Sequence, residues 1–528
     1  MTKKPFLIWR QSYLYVIILV AISFSINQHY AYIGVLPVDS FSTFNAGYDI
    51  LNGSYPFKDF WSIKGPVLDI LQAIYFKFFG ISWFSYAAHS SSFNSIFALS
   101  TYFTLRQFNL DHKYCFIYST LASILMYPTY GIPFTDHHVA IFSMLSVYCL
   151  CLAIVKKKNI YWFFIPIFLI LGFFTKQTPA AYFGILISIV TLLYFISHFK
   201  KEIVVTIFLS ILLLAIIIFG LITSFEIPYK SILIQYFLFP MSLGETRLEW
   251  LLPFEFQRFV LRHKLIYIAL SIPIFLLIKN LFKSFKSIID EDNLIFILLL
   301  GTLLIFITHQ LMTINGLFIF FLIPVFSAFS HIYVSSFKNR KRYIYFFLIF
   351  SLISTVYYHE KYISKRDTLL LRNLDLNKAV DASMLNEKFK NLKWITHNYP
   401  KNPELEIQNL LETINIIKKD GKAKMIVTDY QFISVILSIE GNAAARIWWR
   451  HHIYPVPNTK YFIYWKNFLL QKIKKENIDS IYTIHPLEGE KNIFEGLISE
   501  ECYTNDKISD ILIIQKLKDC KELRNIKN

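Results

Sequence analysis

LPVDSFSTFNAGYDILNGSYPFKDFWSIKGP, residues 36–66, follows a first apolar run at about 12–33 and precedes the next at about 83–105. Whether it is a solvated tail or an ordered loop between membrane spans decides the fold. It carries Asp39, Asp49, Lys58, Asp59 and Lys64 among many aromatic side chains, with Gly53, Gly65, Pro56 and Pro66 as punctuation. Those residue types mark turns with defined backbone angles rather than a flexible tail. The stretch is expected to be an ordered loop, with Asp39 near its start.

Working outward, 55% of the residues are hydrophobic, 18% aromatic and only 17% charged, with a mean hydropathy of +0.44. A soluble chain of this length would need far more charged surface. The apolar residues come in blocks long enough to cross a hydrocarbon core of ~30 Å, which takes ~20 helical residues each. Basic residues before the first run (MTKKPFLIWRQ) look like a signal peptide. The run lacks a small-residue cleavage pattern, so it is read as a retained helix. Spans are expected at about 12–33, 83–105, 114–132, 137–155, 160–175, 179–197, 203–224, 264–281, 294–309, 316–335 and 342–358, eleven in all. With the N-terminus inside (Lys3, Lys4, Arg10), the basic clusters at 106–113, 156–158, 200–201, 279–286 and 338–342 also fall inside. That distribution follows the positive-inside rule and accounts for the net charge of +17 without nucleic acid.

An odd number of spans puts the remainder, 359–528, on the outer face as a separate soluble unit beside a membrane domain of residues 1–358. Residues 424–428, 479–484 and 510–517 read as buried strands, with helices at 430–440 and 460–476 and a helical connector at 360–420. Alternating strand and helix favours a small α/β domain with a partly parallel sheet, and no Gly-rich phosphate loop follows a strand. Five cysteines without a CxxC pair argue against a metal–thiolate centre. Cys115, Cys149 and Cys151 suit core packing, whereas Cys502 and Cys520 are free to pair if the tail lies outside the cytoplasm.

Asp39, Asp59, Lys64, Asp136, His137, His138, Lys176, Glu226, Glu245, Arg247, Arg258 and His309 all fall on the same, outer side. An ionisable group at membrane depth costs about 2.5–3.5 kcal/mol, so it needs a partner or a purpose. Each has a plainer role available: Asp39 and Asp136 as helix caps, Lys176 as an interfacial lysine, His309 as a helix-end hydrogen bonder. Their shared side favours one wet cavity at the outer interface.

The order of a first span, Asp39–Ser40, the string N-G-x-x-P-x-x-D-F from Asn52 to Phe60, then Lys64-Gly65-Pro66 and a second span resembles the GT-C superfamily of polyprenyl-phosphate-sugar-dependent glycosyltransferases. The likeness is to the family-39-like group that includes protein mannosyltransferases and the lipid A aminoarabinose transferase. TDHH at 135–138, FFTKQTP at 173–179 and His309 followed by Pro324 add to it. The resemblance implies a polytopic α-helical membrane protein, GT-C-like, with a small outer-face α/β domain, in a bacterial inner membrane. It implies that Asp39 is the base and that Lys64 contacts the lipid-linked phosphate. Asp136 would position substrate or a metal.

Transfer would go from a polyprenyl-phosphate sugar to a hydroxyl of a glycan, lipid or protein, with inversion at the anomeric carbon. Asp59, Lys176, Arg247, Arg258 and His309 complete the expected substrate-binding set. Serine follows the first-loop acid where relatives carry a second acid, and Ile63 precedes Lys64 where a relative has a carboxylate. A divalent ion is therefore left open, with His137, His138 and His309 as available ligands. A lipid-glycan flippase or transporter and a surface-glycan polymerase are the alternative functions, and an inactive membrane scaffold is a third. IWWRHH at 447–452 is similar to the W-W-D motif of oligosaccharyltransferases but lacks the aspartate.

Overall fold

In a bilayer every backbone polar group must be satisfied internally, so long apolar runs fold as helices. The computed structural model describes residues 5–249, 251, 255–313, 318–335, 337–449, 452–487 and 493–524. Lys3, Lys4, Arg450 and His451, and the side chains of Arg10 and Glu245, lie outside what is described. Each of the eleven apolar segments contains a helix, but the expected span count is corrected. Among the described residues, five helices are long and apolar enough to cross a membrane: Tyr13–Ala31, Thr135–Lys156, Gln177–His198, Lys201–Ser224 and Glu291–Thr313. A sixth is added if Phe256–Ala269 and Ser271–Lys283, bent by 86°, make one span.

The others fall short for definite reasons. Helices His112–Met126 and Asn159–Phe173 have 15 residues each and Leu322–Val334 has 13. At ~1.5 Å per residue none reaches the ~20 residues of a straight span. Helix Trp83–Gln107 is long but threaded with Ser, Asn and His, and Arg340–Tyr358 begins Arg-Lys-Arg.

The chain divides into two compact units whose segments interleave, whereas apolar runs alone suggest a single boundary near 358. The first unit comprises residues 1–31, 87–219 and 246–368. Within it, helix Thr135–Lys156 is 89% buried along its most apolar window and packs on Asn159–Phe173, Gln177–His198 and Glu291–Thr313. Lys201–Ser224, 17% buried, presents its apolar surface outward. The turn entering Thr135–Lys156 is clamped by side chains. Arg366 donates to the carbonyls of Pro128 (2.8 Å) and Tyr130 (2.6 Å), while Asn27 (2.8 Å) and Ser90 (2.6 Å) donate to that of Gly131. Gly131 has φ +90°, and a Cβ there would lie 2.8 Å from the backbone nitrogen of Ala31, so only glycine fits.

The second unit comprises residues 32–86, 220–245 and 369–528. Its sheet runs β3 (Lys424–Thr428), β4 (Ser480–Ile484), β6 (Leu512–Leu517), β5 (Tyr503–Lys507) in space, after a two-residue pair β1 (Val380–Asp381) and β2 (Lys393–Trp394). β3 and β4 pair in parallel, Lys424 opposite Ser480, and every residue of both is buried. Such strands sit between covering layers and read as continuous apolar runs. The other two pairings are antiparallel.

The expected helices at 430–440 and 460–476 are Phe432–Leu437 and Phe462–Lys475. The expected helical connector at 360–420 is corrected: short 3-10 turns and the β1–β2 pair fill it until helix Pro403–Lys419. That helix has its own start signals, Asn402 accepting from Leu405 N at 3.2 Å and proline at its first position. Cys502 and Cys520 form a disulfide beside β5 and β6.

The aromatic residues of the first loop explain why it joins this unit. Phe41 packs on Trp394 and Phe432, and Trp61 on Trp465 and Phe239. Trp61 also donates from its indole to Ile453 O at 2.8 Å. A π-helical turn, Leu233–Leu238, presents Gln235, which accepts from Ser62 N (2.9 Å) and donates to Phe57 O (3.1 Å). The loop is ordered because both its apolar faces and its backbone groups have partners.

Candidate functional site

In the first unit, three membrane-length helices bring charge together at one end. Asp136 stands in the first turn of Thr135–Lys156, Lys176 just before Gln177–His198, and His309 near the end of Glu291–Thr313. Asp136 Oδ1 accepts from Lys176 Nζ at 2.6 Å and from His309 Nε2 at 2.9 Å. Asp136 and His309 side chains are 2% and 1% exposed and Lys176 is 18% exposed. A carboxylate at a helix N-terminus also meets the positive end of the helix dipole. Arg247, in helix Phe239–Glu249, is half-buried and within electrostatic reach of both Asp136 and His309; burial holds its pKa below the ordinary value. Arg258 is half-buried in the short helix Phe256–Phe259.

His137 and His138 lie in the same turn but differ in surroundings. His138 bonds Tyr127 Oη (2.5 Å) through Nδ1 and His89 Nε2 (3.0 Å) through its own Nε2. His137 is buried among aromatic rings, Tyr127 at 5.0 Å and Phe318 at 5.7 Å, with neither ring nitrogen bonded to any described group. No group of three or more His, Cys, Asp or Glu side chains is arranged to hold a metal among the described residues. His137, His138 and His309 thus do not fit as a ligand set there, and no step is derived through an ion.

Three expected site residues belong to the second unit. Asp39 stands in the four-residue helix Pro37–Ser40, behind Pro37 at its first position. From Gly34 to Asp49 every residue is buried except Asp39, which keeps partial exposure on a backbone pinned by its neighbours. Asp59 closes a turn, accepting from Tyr55 N at 2.9 Å, and pairs with Lys475 at 3.3 Å. Lys64 is half-buried, and its charge acts on Asp69.

Asp69 and Arg446 were missed in the sequence, and Asp49, read there only as one of the loop's charges, was given no role. Asp49 forms an ion pair with Arg446, whose guanidinium stacks 3.9 Å from the centre of the Phe60 ring. Asn45 donates to Asp49 at 3.0 Å and accepts from Ser434 at 2.6 Å. Burial pushes the Asp49 carboxyl up to about 6 against the pull of Arg446. Burial likewise pushes Asp69 up to about 7 against Lys64 and Arg446. The available signal was a single charge inside an apolar string: Asp69 in VLDIL, Arg446 in AARIWW.

No protein-family model matches the chain, and no curated protein matches it in sequence. Among solved structures, the apo form of the Archaeoglobus fulgidus oligosaccharyltransferase is similar over 90% of this chain and 69% of that one. The identity is 11% and the TM-score 0.42.

Proposed function

We propose that the chain is a membrane glycosyltransferase that moves a sugar from a polyprenyl-phosphate donor to an acceptor hydroxyl, with inversion and with Asp39 as base. The observation that carries this reading is the Asp136–Lys176–His309 group at one end of three membrane-length helices. Buried ionic groups on such helices are costly, which supports reading them as a substrate site.

In the proposed reaction Asp39 takes the acceptor hydroxyl proton as its oxygen attacks the anomeric carbon, and the carbon–oxygen bond to phosphate breaks. The departing phosphate keeps the electron pair, and fixed cations stabilise it, each such contact being worth roughly 2.7–4 kcal/mol. Lys64, on the first loop with Asp39, is the cation assigned to that phosphate, and Lys176 and Arg247, on the Asp136 group, are assigned to substrate binding. Partial exposure of Asp39 on a rigid backbone supports its assignment, since a base must be reachable and held.

The test is transfer by the purified chain supplied with a polyprenyl-phosphate sugar and an acceptor, in detergent and with no second compartment. Asp39→Asn is expected to lower turnover about 100-fold or more while leaving the melting temperature unchanged. Full activity in that variant overturns the base assignment. A wild-type chain that leaves every such donor unconsumed overturns the transferase reading.

A further inference from the structure

A cleft of about 440 Å³ opens in the second unit beside helix Phe462–Lys475. Its wall carries four lysines, Lys58, Lys472, Lys474 and Lys475, against one carboxylate, Asp59. That carboxylate is already engaged by Tyr55 N and Lys475, and Glu476 pairs with Lys475 at 3.5 Å. Lys58 pairs with Glu226 at 3.2 Å, a contact whose acid is 82% exposed and contributes little in water.

Lys472 differs from the other three. Its side chain is 9% exposed; among the described residues its ion-pair partner is Glu476 at 3.8 Å, and Asp59 acts on it from beyond ion-pair range. A buried ammonium whose nearest acid stands at 3.8 Å is only partly compensated, and an arriving anion at hydrogen-bond distance would add to that compensation.

The remaining wall has a different chemistry. Phe468 lines the cleft, and its ring packs on those of Trp465 at 6.1 Å and Trp61 at 6.0 Å. The platform is therefore fixed by packing. Gln471 adds an amide that both donates and accepts. An aromatic face, an amide and a few cations form the mixed lining of a small-ligand site, and the volume falls within the ~300–1,000 Å³ of such pockets. A bare anion has no use for the Phe468 face, and a neutral sugar has none for Lys472.

We infer that this cleft binds an acidic saccharide, a sugar bearing a carboxylate or phosphate, with Lys472 as its principal anion contact and Phe468 beneath the ring. The binding does not depend on the proposed transfer reaction and is measured without donor, so either proposal can fail alone.

The experiment is calorimetric titration of the full-length chain in detergent with glucuronate, glucose 1-phosphate, glucose and inorganic phosphate. Both acidic sugars are expected to bind at least about tenfold more tightly than glucose or phosphate alone. Lys472→Gln is expected to weaken both about tenfold, and Lys472→Arg to retain them. Lys475→Gln, at an exposed rim position, should weaken both by a smaller factor, and the melting temperature of each variant, measured alongside, separates lost binding from a folding defect. Equal binding of glucose and glucuronate overturns the proposal. So does phosphate binding as tightly as glucose 1-phosphate, or unchanged affinity in Lys472→Gln.

Discussion

Asp49 and Asp69 are carboxyls whose burial outweighs the cations beside them. A free aspartate titrates near about 3.9, so both groups bind protons more tightly in the folded state than in the unfolded one. Folded protein then holds the extra protons between about pH 4 and the folded values near 6 and 7. Their contribution to stability is complete below about pH 4 and is lost as pH rises through that window. The melting temperature should fall over this range, less steeply in Asp69→Asn; identical slopes would show that Asp69 does not titrate there. Asp136 is held differently, by two donors on one oxygen. Removing one partner of a buried pair typically costs about 3–5 kcal/mol. Lys176→Met should therefore lower the melting temperature, and adding Asp136→Asn should recover part of the loss. Additive effects in that double-mutant cycle would mean the pair is not coupled.

Among elements, the π-helical turn Leu233–Leu238 has a visible purpose, since it aims Gln235 at the first loop. Extra-wide turns of this kind commonly occur where a side chain must be redirected. Gln235→Ala leaves Ser62 N–H and Phe57 C=O without their bonds, at about 1–3 kcal/mol per buried group. Amide exchange across residues 57–62 should speed up in that variant while the β3–β4 amides stay protected. Unchanged exchange at 57–62 would show that aromatic packing alone orders the loop. β3, β4, β6 and the helix Phe462–Lys475 were legible in the sequence because their patterns are local, whereas β5, with its polar residues Thr504 to Lys507, and the two-residue β1 and β2 were not. The connector at 360–420 was not, because its polar and apolar residues alternate too irregularly to separate short turns from a helix.

For the whole molecule, the Cys502–Cys520 bridge closes a segment with a sequence separation of 18. A closed loop of that size stabilises by about 3 kcal/mol through the unfolded chain. Cys502→Ala, or a reductant added to the wild type, should lower the melting temperature to the same extent. A reductant effect that persists in Cys502→Ala would point to some other bond. The interleaved units also limit what deletion can show. Removing residues 369–528 strips the first loop of Trp394, Phe432, Arg446 and Trp465, so loss of activity in that truncation would not locate the active site in the tail.

The apolar blocks determined by themselves that the chain is built on membrane-length helices, because backbone hydrogen bonding in a bilayer leaves no other choice for them. Alternation of buried strands and amphipathic helices likewise determined a small α/β region near the C-terminus. Both are local patterns, written within ten or twenty neighbouring residues. How many helices are long enough to cross, and which charges meet, was decided by the tertiary structure. Asp136 meets Lys176 across 40 residues and His309 across 173, and Asp49 meets Arg446 from the far end of the chain. No periodicity reports such a pairing, because desolvation and Coulomb attraction act on distance in space, which is settled only when the helices and the first loop have packed.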